Sequence, residues 1–208
     1  KIITPGLFDA YSNIGLIEIS AVAQTVDIEE NSSPITPNIR VIDAINTRTE
    51  IIPVTRIEGV TTALVAPGTG NVISGQSAVV DLCGNTVDEM LVKSPAALHI
   101  NFGEGTVGKW REKKKIDTRM GLVAMLRQAF IDAKDYKNSL EDYDRKLLEF
   151  KNGTSPQSKG KKPEEPKAPA RDLGKEILVM ALEQKLPVIA AAQRRDDILT
   201  AINIAEEF

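Results

Sequence analysis

The sequence predicts an α/β domain, and three stretches carry that expectation. The run Thr4-Pro5-Gly6-Leu7-Phe8-Asp9-Ala10-Tyr11-Ser12-Asn13-Ile14-Gly15 reads as a strand ended by a glycine. Between residues 37 and 68 a helical spacing is followed by a β-rich run, which with the first strand makes a strand, helix, strand unit. From 118 to 150 apolar residues recur three or four apart, the period of one long amphipathic helix.

Composition bounds what this domain can do. With 208 residues, 42% of them hydrophobic, the chain can bury the core of one ordinary domain. A net charge of -3 and a pI near 5.4 offer no basic face to a polyanion, so nucleic acid is not an expected partner. No apolar run approaches the roughly 20 residues of a membrane-spanning helix, and the start lacks a signal-peptide pattern. A mature secreted form would look the same, so the expected protein is soluble and its compartment stays open between cytoplasm and, after signal removal, periplasm or exterior. Cys83 is the only cysteine, which excludes an internal disulfide and a thiolate metal cluster; it reads as a small buried hydrophobe. Lys1 stands where a methionine would begin a chain, and the natural chain is expected to start earlier.

Along the first strand residues two apart share a face, so Asp9, Tyr11 and Asn13 project together. Residues 18–34 are polar and irregular and close with the loop Glu29-Glu30-Asn31-Ser32-Ser33-Pro34. A helix is expected from Asn38 to Asn46, with Thr36 as its N-cap and Pro37 at its first position, and a second short helical piece ending near Glu58-Gly59. The run from Val60 to Ala66, stopped by Pro67-Gly68, suits a buried parallel strand. From Gly68 to Leu82 the sequence reads as a glycine-rich loop and a short hairpin. Such glycines can expose backbone N-H groups to a phosphate, but the Gly-Lys-Ser/Thr ending of a nucleotide loop is missing.

Gly103-Glu104-Gly105-Thr106-Val107-Gly108 matches Gly-x-Gly-x-x-Gly after the strand-like Leu98-His99-Ile100-Asn101-Phe102. A dinucleotide site requires a helix to open at once. The basic run from Lys109 to Lys115, with Trp110, reads instead as an exposed loop, and the match as chance. His99, the one histidine, has no Cys or His neighbours and reads as a packed residue rather than a metal ligand. The stripe of the long helix, from Met120 to Phe150, reads as core. Residues 151–170 turn to Pro, Lys, Gly, Ser and Glu and are expected to form an exposed, mobile insert and the first site of proteolysis. Helix resumes from Arg171 to Gln184, Pro187 to Ala192 reads as a buried strand, and Asp196 or Asp197 caps a final helix to Phe208.

Three of these stretches resemble the amidohydrolase superfamily, in particular its imidazolonepropionase-like branch. Pro5-Gly6-Leu7-Phe8-Asp9-Ala10-Tyr11-Ser12-Asn13 stands where that branch has Pro-Gly-Leu-Ile-Asp-Ala-His-x-His. Pro67-Gly68-Thr69-Gly70-Asn71-Val72-Ile73-Ser74-Gly75-Gln76 matches its Pro-Gly-x-Gly-Asn-x-Ile-x-Gly-Gln. Pro187 to Ile198 is similar to its Pro-x-x-x-His-Ala-His-Arg-x-x-Asp-Ile. The resemblance implies a TIM-like (β/α)8 metal-dependent hydrolase barrel with a β-hairpin excursion and a long helix. Residues 1–208 would form the N-terminal half of that barrel, which takes about 250 residues before additions. The remainder, with the last histidine and the catalytic aspartate, is expected beyond Phe208 or on a second amidohydrolase-like chain.

The same resemblance implies degenerate chemistry. Two imidazoles at i and i+2 on a strand reach one ion, which acidifies a water for attack on an amide carbon. Tyr11 and Asn13 stand at that pair of positions, and Ala191 and Gln193 at the later pair. A neutral amide offers a weak oxygen, a phenol must give up a proton of pKa about 10, and Ala191 has no donor atom. Asp9 is the one carboxylate still aimed at the site, as a brace for the strand ends or as a residual site residue. The expectation is a pseudoenzyme without catalytic residues or cofactor, in a structural, regulatory or small-molecule-binding role. The alternative is a metal-dependent hydrolase of C-N bonds in cyclic amides or peptide-like substrates, with zinc held by ligands from the missing half. The agreement of separated motifs disfavours an unrelated interaction module.

Overall fold

The computed structural model describes residues 3–152 and 165–208. One sheet organises them. Its strands, β1 (Leu7–Ser12), β2 (Val60–Val65), β3 (Ile73–Asp81), β4 (Leu91–Asn101) and β5 (Val188–Ala191), lie side by side in chain order. β1 pairs parallel with β2 and β4 with β5, whereas β3 is antiparallel to both its neighbours. The strands β1, β2, β4 and β5 therefore share one direction, with β3 reversed between them. The sheet is curled: β1 and β4 would stand about 14 Å apart in a flat sheet, yet the rings of Tyr11 on β1 and His99 on β4 are centred 6.0 Å apart.

The expected hairpin over residues 68–82 is corrected by this topology. Ile73–Asp81 is a nine-residue strand in the middle of the sheet, not an excursion from it. Its residues are buried on both faces, because the segment before it folds back alongside. That segment is also where the helix expected from Asn38 to Asn46 fails to form, leaving one 3-10 turn at Val41–Asp43. Thr36 N-H and its hydroxyl both donate to the Ile73 carbonyl, and Gln76 N-H donates to that of Ile39. Backbone groups that a helix would have used internally are satisfied by β3, so tertiary pairing overrides the local spacing. The second short helix is present as α1 (Ile51–Ile57).

After a single turn, α2 (Val87–Met90), and β4, the chain enters α3 (Glu104–Glu112), which opens directly behind Gly103. The expected exposed loop is thus a helix. It buries Thr106, Val107 and Trp110 on one face, and Trp110 Nε1 donates to the Gly70 carbonyl at 2.9 Å. The ammonium groups of Lys109 and Lys113 lie over the Trp110 ring, and Lys109 also meets Asn71 Oδ1 and Glu29.

The long helix, α4 (Arg119–Lys151), has the predicted extent, but its stripe is core only from Leu122 to Tyr136, with Met120 exposed; α5 (Leu173–Leu182) and α6 (Arg195–Glu207) follow. α6 is entered through Arg194, with Asp196 and Asp197 in its first turn rather than at its cap. Leu98 and Ile100 of β4 pack with Trp110, Leu126, Phe130, Leu178 and Ile204 on the sheet's convex side. Ala63, Val65, Ala78 and Val80 form a second cluster with Leu16, Val41, Ile52 and Met90. Cys83 is exposed, not buried as expected. Most of the insert expected at 151–170 lies outside the described residues; within it, 165–170 carry no regular structure. Among the described residues no helix is long and apolar enough to cross a membrane.

Candidate functional site

The concave face of the sheet gathers the polar side chains. Alternation along β4 sends Leu98 and Ile100 to the convex core and His99 and Asn101 to the other side. His99 lies between Gly75 of β3 and Ile189 of β5, and Asn101 beside Ala191. β1, Leu7–Ser12, is shorter than the expected strand and brings Tyr11 to this face, where its ring stands against His99.

What the side chains of Asp9, Tyr11 and Asn13 do is local. The Tyr11 hydroxyl donates to the Pro67 carbonyl at 3.1 Å, and Asn13 Nδ2 donates to the Ala66 carbonyl at 2.7 Å. Asp9 Oδ1 accepts from Tyr11 N-H at 3.1 Å. Tyr11 and Asn13 thus tie the end of β1 to the chain just past β2, where two carbonyls would otherwise lack donors. Burial pushes the Tyr11 phenol above its ordinary value, which keeps it neutral. A neutral phenol is a poor metal ligand, and a neutral amide offers only a weak carbonyl oxygen.

Ala191 and Gln193 stand at the end of β5 and just past it. They line a cavity of about 320 Å³ with Asn101, Gly103, Thr106 and Arg194, at the C-terminal ends of β4 and β5. Asn101 Nδ2 is engaged by the Asn71 carbonyl at 2.6 Å and Ser74 Oγ at 2.9 Å. The Tyr11 ring stands against His99, and Ala191 lies on the neighbouring strand opposite Asn101, two residues from the partner of His99. Among the described residues no three His, Cys, Asp or Glu side chains converge as a metal set. A catalytic zinc takes about three protein ligands, so any such ion here would draw ligands from outside the described residues.

His99 is the residue that sequence reasoning sets aside. It is only 3% exposed, it stands against Tyr11, and its Nε2 has no hydrogen-bond partner among the described residues. Burial pushes its pKa down to about 4, so the ring is neutral at pH 7. The signal is present in the strand: Ala97, His99 and Asn101 alternate with Leu98 and Ile100, which puts the imidazole opposite the apolar row.

No family model matches the chain, and no curated protein matches it. Among solved structures, an amidohydrolase from Thermotoga maritima MSB8 is similar, with a TM-score of 0.81 and 34% sequence identity. The match covers 98% of this chain and 49% of that one, so the chain spans about half the length of its neighbour. The fold is amidohydrolase-like, and the curled sheet corresponds to half of a barrel.

Proposed function

We propose that this chain supplies one half of an amidohydrolase-like barrel of the imidazolonepropionase-like branch, and that the strands it contributes have lost their part of the metal centre. Its role is then structural, regulatory or the binding of a small molecule, and its partner is the rest of the barrel. The observation that carries the reading is that Tyr11 and Asn13, at the positions of the first pair of metal-binding histidines, both donate to backbone carbonyls of the neighbouring strand end. Ala191 supports it by offering no donor atom.

One observation favours the second reading, a hydrolase of C-N bonds in cyclic amides or peptide-like substrates. His99, on the concave side of β4, has a buried Nε2 without a hydrogen-bond partner among the described residues, and a neutral imidazole has a ring nitrogen that can bind a metal. Zinc would supply Lewis acidity and an acidified water, held by ligands from the missing half together with His99. Asp9, whose Oδ1 accepts from Tyr11 N-H, would keep its other oxygen as a residual site group.

Metal content by plasma mass spectrometry on the assembled protein separates the two. The wild type is expected to hold far less than one zinc per chain, and the combined Tyr11→His, Asn13→His and Ala191→His variant to gain it, with no single substitution sufficient. Near-stoichiometric zinc in the wild type, lost in Asn13→Ala or Asp9→Ala, would overturn the lost-centre reading. The same zinc lost in His99→Gln would select the reduced-site hydrolase.

A further inference from the structure

The cavity of about 320 Å³ at the C-terminal ends of β4 and β5 holds two unmet demands of opposite kind. The first is for an acceptor. Gly103, Glu104, Gly105 and Thr106 line it as the opening of α3, and the first backbone bond of that helix runs from Val107 N-H to the Gly103 carbonyl. The N-H groups of residues 104–106 are therefore left without a partner inside the helix. A Cβ at Gly105 would meet nothing within 4 Å, so the backbone of this turn is bare. Arg194 lines the cavity too, in an ion pair with Glu104 whose side chains are both at least half exposed. Such a pair is weak, and its guanidinium is free to turn to a ligand.

The second demand is for a donor. Asp197, in the first turn of α6, is only 5% exposed and lines the same cavity. Its Oδ1 accepts from Arg119 Nη1 at 3.2 Å, whereas its Oδ2 is buried with no hydrogen-bond partner among the described residues. A buried carboxylate oxygen left unpaired is costly, and a cationic donor beside it removes that cost.

We propose that this cavity binds the zwitterion of an apolar α-amino acid, its carboxylate on the α3 N-terminus and Arg194, its ammonium on Asp197. The inference rests on the small-molecule-binding role above and deepens it by naming the ligand class. Charge selects that class. The helix N-terminus and the guanidinium favour an anion. A phosphate dianion, however, would stand against Glu104 and Asp197. So although α3 opens directly behind Gly103, as a dinucleotide fingerprint requires, a pyrophosphate is the poorer occupant. A simple cation would satisfy Asp197 but leave the N-H groups unpaired and face Arg194. A molecule carrying both charges meets both demands at once. Ala191 and Ala192 on the wall offer the apolar contact for its side chain.

Isothermal titration calorimetry of L-leucine into the assembled protein tests this. Isocaproate, which lacks the ammonium, and isoamylamine, which lacks the carboxylate, are the matched probes. L-Leucine is expected to bind saturably, and each half-probe at least about tenfold more weakly, as the loss of one charged hydrogen-bonded contact implies. Asp197→Asn keeps the side chain's shape and should erase the preference for L-leucine over isocaproate. Arg119→Gln breaks the same ion pair from outside the cavity and should leave L-leucine binding unchanged. The half-probes need no variant, so the proposal is tested even where a substitution unfolds the protein. No saturable heat with L-leucine, a half-probe bound as tightly as L-leucine, or equal losses in Asp197→Asn and Arg119→Gln would each overturn the site. Zinc is not read in these titrations. Zinc held through this chain's residues would end the lost-centre reading and leave the amino-acid site standing, whereas failure of L-leucine to bind a zinc-free protein would strike the site alone.

Discussion

At the scale of single residues, His99 couples this molecule to pH. The folded ring titrates near 4 because burial opposes its charge, while the unfolded ring titrates near 6.5. Above about pH 6.5 both states are neutral and the residue adds no pH dependence. Between 6.5 and 4 the unfolded chain takes a proton that the folded chain refuses, so stability falls as the pH falls. Below about 4 both are charged and the loss levels off, near 3 kcal/mol in total. Urea unfolding at pH 7 and pH 4 should therefore show a larger acid loss in the wild type than in His99→Gln, by roughly 3 kcal/mol. Equal losses would mean that the ring is open to solvent. Beside it, Tyr11 and Asn13 show how two residues in ligand positions serve packing: each donates to a carbonyl one strand away.

At the scale of elements, β3 and α3 place glycine under opposite rules. Gly75 has φ +119°, and a Cβ there would stand 2.5 Å from the Ile39 carbonyl oxygen. That close approach is how the segment before β3 pairs with it. Gly75→Ala is expected to lose at least about 1–3 kcal/mol from backbone strain alone. At Gly108, within α3, an added methyl group would meet nothing within 4 Å, and Gly108→Ala should gain about 0.5–1 kcal/mol as an ordinary helix substitution. Chemical denaturation followed by Trp110 fluorescence reads both, since this is the only tryptophan and it is fully buried. A stabilised Gly75→Ala would mean that β3 does not run against residues 36–40.

At the scale of the whole molecule, the sheet should be protected from its centre outward. β3 and β4 are paired on both sides, and β1 and β5 on one. Amide hydrogen exchange of the chain alone is expected to be slowest in β3 and β4 and markedly faster in β1 and β5, because edge amides open without breaking the core. Uniform protection across all five strands would mean that the edges are already covered.

How much of this is legible in the sequence follows from the range of the forces involved. The first strand, the long helix from Arg119 to Lys151 and a strand at Val188–Ala191 are legible, because period-2 and period-3.6 patterns are written in neighbouring residues, although that last strand is exposed or half-buried where the sequence predicts burial. The motifs likewise point to an amidohydrolase-like half-barrel. The helical spacing of residues 38–46 misleads because their hydrogen bonds go to β3, more than 30 residues away. The run after Gly103 misleads because its residues are held by distant partners: Lys109 meets Asn71 and Glu29, and Trp110 reaches the Gly70 carbonyl. The same limit applies to the site. The sequence by itself determined which side chains stand at Tyr11, Asn13, Ala191 and Gln193. Only the tertiary structure decided that the Tyr11 and Asn13 side chains donate to Pro67 and Ala66, and that His99 meets Tyr11 across two intervening strands. Hydrogen bonds and ring contacts depend on distance in space, and the curl of the sheet is what makes those distances short.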